Sequence, residues 1–171
     1  MTTVFTQYLH NEQETQKLAQ DFARALHPQL NAKAMMVYLV GDLGAGKSFF
    51  SRALIQNFLP QARVKSPTYN LVESYPCVGF EIHHFDLYRL CDPEELEFLG
   101  LRDLLQGQAL ALVEWPSKGE GVLPVPDLVI ELRHPSEVGM TEDAEDHRQF
   151  ELHSHSEVGA RVLQSLFDSR G

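Results

Sequence analysis

Residues 41–48 read Gly41-Asp42-Leu43-Gly44-Ala45-Gly46-Lys47-Ser48, a complete G-x-x-x-x-G-K-[ST] phosphate-binding loop. Its three glycines let the backbone turn tightly and aim N–H groups inward at an anion. Lys47 is then expected to reach the β- and γ-phosphates of a nucleotide, and the Ser48 hydroxyl to hold Mg²⁺. The flanking residues fit the motif. Met35-Met36-Val37-Tyr38-Leu39-Val40 is a short apolar run that predicts a buried strand ending at the loop. Phe49, Phe50, Ala53, Leu54 and Phe58 then recur at helical spacing until Leu59-Pro60 stops the helix. Strand, loop and helix N-terminus follow in the order that sets a helix dipole and free N–H groups against phosphate. A nucleoside triphosphate is the ligand class this stretch predicts.

Working outward, 171 residues suffice for one well-cored domain and fall short of two full-sized ones. No run approaches the length of a transmembrane helix, and the polar start lacks a secretory apolar segment, so a cytoplasmic protein without membrane contact is expected. Cys77 and Cys91 form neither a disulfide framework nor a Cys-x-x-Cys motif and are expected to be reduced thiols. The eight histidines have no zinc-like spacing. A formal net charge of −10 argues against direct, high-affinity nucleic-acid binding, which requires a basic surface. The acidic run Glu142-Asp143-Ala144-Glu145-Asp146 is expected to be a solvated loop between strands.

Patterning fills in the remaining elements. Asn11, with Glu14 three residues on, marks the start of a helix whose apolar face is Leu18, Phe22 and Leu26 with Ala19 and Ala25. Asn70 to Tyr75 is expected to be extended, and Phe80-Glu81-Ile82-His83-His84-Phe85 to be a strand ending at Asp86. Asp92-Pro93-Glu94-Glu95 predicts a helix start, with Leu96, Leu99, Leu101, Leu104 and Leu105 as its apolar side. Ala109-Leu110-Ala111-Leu112-Val113 predicts a central strand covered on both faces, ending at Glu114-Trp115-Pro116. Strands at 127–133 and 148–153 and a closing amphipathic helix at 156–167 complete one α/β domain spanning residues 1–171. Its expected form is a central, mostly parallel sheet flanked by helices, with antiparallel strands toward the C-terminus.

A phosphate loop needs a partner carboxylate at the end of a neighbouring strand to orient Mg²⁺ and the attacking water. Asp86 and Glu114 both occupy such positions, and ligands of open α/β sheets lie beyond the carboxyl ends of the strands. Spacing does not decide which of the two touches the metal. Ser66-Pro67-Thr68 lies where switch loops carry a hydroxyl toward the γ-phosphate, although the tripeptide alone reads as an ordinary turn. The single tryptophan, Trp115, reads as core on composition alone. Neither an Asn-Lys-x-Asp base-reading motif nor an Asp-x-x-Gly switch is present, so ATP is the expected nucleotide.

Together, Gly-Asp-Leu-Gly-Ala-Gly-Lys-Ser (41–48), Val-Lys-Ser-Pro-Thr-Tyr (64–69), His-Phe-Asp-Leu-Tyr-Arg-Leu (84–90), Pro-Glu-Glu-Leu-Glu (93–97) and Val-Glu-Trp-Pro (113–116) resemble the TsaE family. The similarity runs from about Glu12 to Arg133. It implies a P-loop NTPase fold and an ATP-dependent role in threonylcarbamoyl modification of adenosine 37 in tRNAs that read codons starting with A. It also implies docking on a TsaD–TsaB heterodimer that hydrolysis resets, with tRNA held mainly by those partners. The resemblance assigns phosphate binding to Lys47, Mg²⁺ ligation to Ser48 and Glu114, and to Asp86 a Walker-B-like role at the metal in hydrolysis. It makes Thr68 part of a switch-like loop and moves Trp115 beside the nucleotide. Glu12, Thr15 and Arg148 match positions that approach the nucleotide. One departure concerns Phe49, which follows Ser48 where family members often carry a second hydroxyl; slower intrinsic hydrolysis is the expected consequence.

Two other readings share the phosphate loop. A small-molecule kinase usually closes an Arg-bearing lid over the transferred phosphate, and the arginines here are scattered. A nucleotide-gated binding module that hardly hydrolyses is compatible with Phe49 and with partner docking.

Overall fold

The computed structural model describes residues 4–31, 33–67, 69–134 and 147–170. Thr68 and the acidic run at 142–146 therefore lie outside the described residues. The first element, β1 (Val4–Leu9), has no clear sequence signature, because its inward side carries Phe5, Gln7 and Leu9 and the polar Gln7 breaks the alternation. α1 (Glu12–Leu26) starts where its cap predicts: the Asn11 side chain accepts the Glu14 N–H at 2.9 Å. β2 (Met35–Val40) and α2 (Lys47–Phe58) flank the phosphate loop. β3 (Val72–Pro76) and β4 (Glu81–Asp86) follow.

The leucine-rich segment after Asp92 departs from the single helix its spacing predicts. It forms two short turns, α3 (Glu95–Phe98) and α4 (Leu101–Leu104), divided at Gly100, whose left-handed φ of 76° interrupts the helical backbone. Its leucines still face inward, with Leu96 and Leu101 buried. β5 (Ala109–Glu114) is buried along its whole length, as its unbroken apolar run predicts. β6 (Leu128–Arg133), β7 (Arg148–Ser154) and α5 (Glu157–Asp168) close the chain, α5 being capped by the Ser156 hydroxyl, which accepts the Gly159 N–H at 3.0 Å.

The seven strands form one sheet in the order β1-β7-β6-β2-β5-β4-β3. The central four, β6, β2, β5 and β4, run parallel. Antiparallel strands flank them on both sides, β3 on β4 at one edge and β7 with β1 at the other. The α/β class holds, and the antiparallel edges include β1 and β3 besides the C-terminal strand.

Each face of the sheet has its own core. On one, α1, α2 and α5 pack Phe22, Phe50, Leu54 and Val162 against Val37, Leu112, Ile130 and Phe150. On the other, Leu87, Leu90, Leu96 and Leu101 pack against Met36, Phe85, Ala111 and Val113. Asp127 ties the amino ends of the central strands together. Its carboxylate accepts the Met36 N–H at 2.8 Å and the Ser156 hydroxyl at 2.7 Å. Its own N–H donates to the Met36 carbonyl and its carbonyl accepts the His155 N–H, both at 2.8 Å. The carboxyl ends of β2, β4 and β5 are left to build the site.

Candidate nucleotide-binding site

The phosphate loop begins where β2 ends, and its first glycine answers a packing demand. A Cβ on Gly41 would stand 2.4 Å from the Leu132 carbonyl oxygen of β6, so no larger residue fits this approach. Gly46 is the N-cap of α2 at φ 102°, a left-handed turn that only glycine adopts at no steric cost. Between them the tip is open: the Leu43 side chain is 69% exposed, whereas Ala45 is buried.

Lys47, the first residue of α2, is buried, and its ammonium donates to the carbonyls of Gly41 and of Asp42, the latter at 3.0 Å. It also lies 4.1 Å from the centroid of the Trp115 ring, within cation–π range. Trp115 has a left-handed backbone at φ 57°, rare for a bulky residue, and this turn lets its ring face Lys47. The Tyr88 ring packs against it at a tilt of 51°, with centroids 5.0 Å apart. Trp115 is thus half-buried at the mouth of the site rather than in the core.

Ser48 donates its hydroxyl to Oε1 of Glu114 at 2.9 Å. Glu114 is 1% exposed, and its other oxygen, Oε2, lies 2.6 Å from Nε2 of His84. Asp86 stands directly opposite Glu114 in the β4–β5 register. Its carboxylate accepts the Ser66 hydroxyl at 3.3 Å and the Tyr88 N–H at 3.1 Å, while its own N–H donates to the Leu71 carbonyl. Asp86 therefore ties Ser66 and Leu71 to the end of β4. Loop, helix start, Asp86, Tyr88, Glu114 and Trp115 line one cleft of about 340 Å³. Ser48, Asp86 and Glu114 supply only hydroxyl and carboxylate oxygens, the donor set of a hard divalent cation and not of a soft one.

Residues 43–49 line this cleft together with both acids and Trp115; Gly41 and Asp42 contribute carbonyls to Lys47. Phe49 is half-buried in the cleft wall, with Arg52 5.5 Å over its ring. Arg148 reaches the loop from outside the cleft: its guanidinium donates to the carbonyls of Gly44 at 3.0 Å and Ala45 at 2.9 Å. Glu12 and Thr15 occupy the first turn of α1 and do not line the cleft; Thr15 donates its hydroxyl to the Asn11 carbonyl at 3.3 Å. Two site residues, His84 and Tyr88, fall inside the 84–90 motif, yet nothing in the sequence assigned a role to either. His84 had one weak signal, since it precedes Asp86 by two and so shares its face of a strand.

A phosphate loop opening a helix beside the carboxyl ends of parallel strands, with strand-end carboxylates facing it, defines a P-loop nucleotide-binding protein. The family model described as threonylcarbamoyl adenosine biosynthesis protein TsaE matches residues 9–143. The chain belongs to this TsaE family. It is 41% identical to the tRNA threonylcarbamoyladenosine biosynthesis protein TsaE of Haemophilus influenzae over 161 residues, covering 94% of this chain and 96% of that one. The Bacillus subtilis protein of the same name is 33% identical over 123 residues, covering 72% and 73%. Among solved structures, Bacillus subtilis YdiB shares the fold, with a TM-score of 0.75 at 23% identity, covering 100% of this chain and 99% of that one.

Proposed function

We propose that the chain is a Mg²⁺-dependent ATPase of tRNA threonylcarbamoyladenosine biosynthesis, acting in the cytoplasm on a TsaD–TsaB complex rather than on tRNA itself. One observation carries the enzymatic part: the Ser48 hydroxyl and a buried Glu114 carboxylate meet at 2.9 Å beside the phosphate loop. The pathway rests on the family and on relatives named for tRNA threonylcarbamoyladenosine biosynthesis. The partner-held tRNA rests on the acidic charge of −10.

In this reading the loop N–H groups and Lys47 bind the phosphates, Lys47 exchanging its loop carbonyls for phosphate oxygens. Ser48 and Glu114 would hold Mg²⁺, in the cleft that Asp86 also lines. When bound, the ion neutralises charge developing on the transferred phosphoryl group. Asp86 and Glu114 sit opposite each other in register and line the same cleft. Asp86 orients the attacking water, and Trp115 and Tyr88 shield the Lys47 side of the cleft from solvent.

The test is phosphate release from Mg-ATP by the protein alone and with TsaD and TsaB added. Strong stimulation by the pair is expected. Lys47→Ala should weaken ATP binding by about 2 kcal/mol, roughly 30-fold, because it removes charge-assisted hydrogen bonds; quenching of the single tryptophan reports binding. Tight binding without release, alone or with partners, would replace this reading by an occupancy switch, which Phe49 in the cleft wall favours. Transfer of the γ-phosphate to a small metabolite would replace it by a kinase.

A further inference from the structure

We propose that His84 is a positioning residue for Glu114: its ring N–H holds one carboxylate oxygen so that the other faces Ser48 and the cation. The proposal rests on the Mg²⁺ site argued above and adds to it a residue that touches neither nucleotide nor metal. Ile82, His84 and Asp86 alternate along one face of β4, the face on which Leu112 and Glu114 lie in β5. In the register His84 pairs with Leu112 and Asp86 with Glu114, so the His84–Glu114 contact is diagonal, within reach of an imidazole.

The two oxygens of Glu114 are thereby divided. Oε1 accepts from Ser48 at 2.9 Å, and Oε2 lies 2.6 Å from His84 Nε2. A carboxylate only accepts, so Nε2 carries the proton. In the neutral ring Nδ1 is then an acceptor, and among the described residues this buried atom has no hydrogen-bond partner. An apolar side chain would fill the site without that orphaned nitrogen. The imidazole is therefore explained by what its other nitrogen does. With Oε2 tied down, rotation of the carboxylate is stopped and Oε1 is held toward the first residues of α2, as an outer hydrogen bond orients a metal ligand.

The experiment measures ADP affinity by calorimetry across a Mg²⁺ titration for the wild-type protein, His84→Leu and His84→Gln. Leucine keeps the volume and removes the N–H; the glutamine amide restores a donor near Nε2. For His84→Leu, ADP affinity without Mg²⁺ should stay at the wild-type level, while the Mg²⁺ concentration at half-effect rises about 10- to 100-fold. His84→Gln should recover most of that loss. A folded His84→Leu with the wild-type Mg²⁺ dependence, or a glutamine variant no better than leucine, would overturn the proposal. If His84→Leu does not fold, ¹⁵N NMR of the wild-type imidazole decides: protonated Nε2 with bare Nδ1 supports the proposal, and the opposite tautomer overturns it. A wild-type protein indifferent to Mg²⁺ would instead bring down the metal site itself, an outcome distinct from all of these.

Discussion

Two of the glutamate–histidine groupings on the sheet stand in opposite circumstances. At the carboxyl end of β5, Glu114 meets His84 with both side chains 1–2% exposed. On β6 and β7, His153 lies 3.2 Å from Glu151 and 3.7 Å from Glu131, and these side chains are 19–29% exposed. The second group offers three ligand atoms within 4.8 Å of one another. Its carboxylates already have other partners, however: Arg133 donates to Glu131 at 2.8 Å and Gln149 to Glu151 at 2.9 Å. Water screens such pairs, and exposed ion pairs typically contribute about 0–1 kcal/mol. Glu114 has no such latitude, because a buried polar group that loses its partner carries the full desolvation penalty. Residue type is shared by the two groups. Burial, and a neighbouring helix N-terminus bearing Ser48, separates them.

The widest separation is expected in turnover. Glu114→Ala should lower phosphate release by about 100-fold, the scale on which a single preorganised electrostatic group acts, whereas Glu131→Ala should leave it unchanged. Equal losses in steady-state assays would dissolve the contrast. Next comes pH. Burial pushes the His83 imidazole below its ordinary value, against the opposing pull of Glu81 3.5 Å away. The folded protein thus binds this proton less readily than the unfolded chain, and stability rises with pH between the two values. His83 should contribute its full share above about pH 6.5 and lose it as the pH falls toward the folded value. Urea midpoints measured from pH 7 to pH 5 should decline, and His83→Gln should flatten that decline. The smallest effect is expected for His153→Ala, within about 0.5 kcal/mol by urea denaturation; a larger loss would promote the exposed group to a structural element.

What could be read from the chain follows the same division between local and distant. The strand, loop and helix around Lys47 were legible because each depends on residues within a few turns of one another. Asp86 and Glu114 were legible as strand-end acids, but their relative placement was not, since it is set by the parallel register of β4 on β5. His84 escaped for the same reason: its partner is 30 residues away and diagonal. Trp115 was ambiguous because one backbone angle, φ 57°, turns its ring toward Lys47. Arg148 was legible only as a position that approaches the nucleotide; its bonds to the Gly44 and Ala45 carbonyls of the phosphate loop span sequence separations of 104 and 103 residues. β1 went unread because Gln7 spoils its alternation.

The four hydrogen bonds of Asp127 have a consequence in time. Through them the Met36 N–H, the Asp127 N–H and the His155 N–H are all held at 2.8 Å by partners on adjoining elements. None of these amides can open without separating the start of β6 from β2 or from the turn into α5. In deuterated water they should therefore exchange only when the whole sheet comes apart, on the slowest clock the protein has. The Leu43 amide, on the exposed tip of the phosphate loop, should exchange through local openings and far sooner. The end of the sheet remote from the nucleotide thus works as an anchor, and it leaves the loop end free to respond to its ligand.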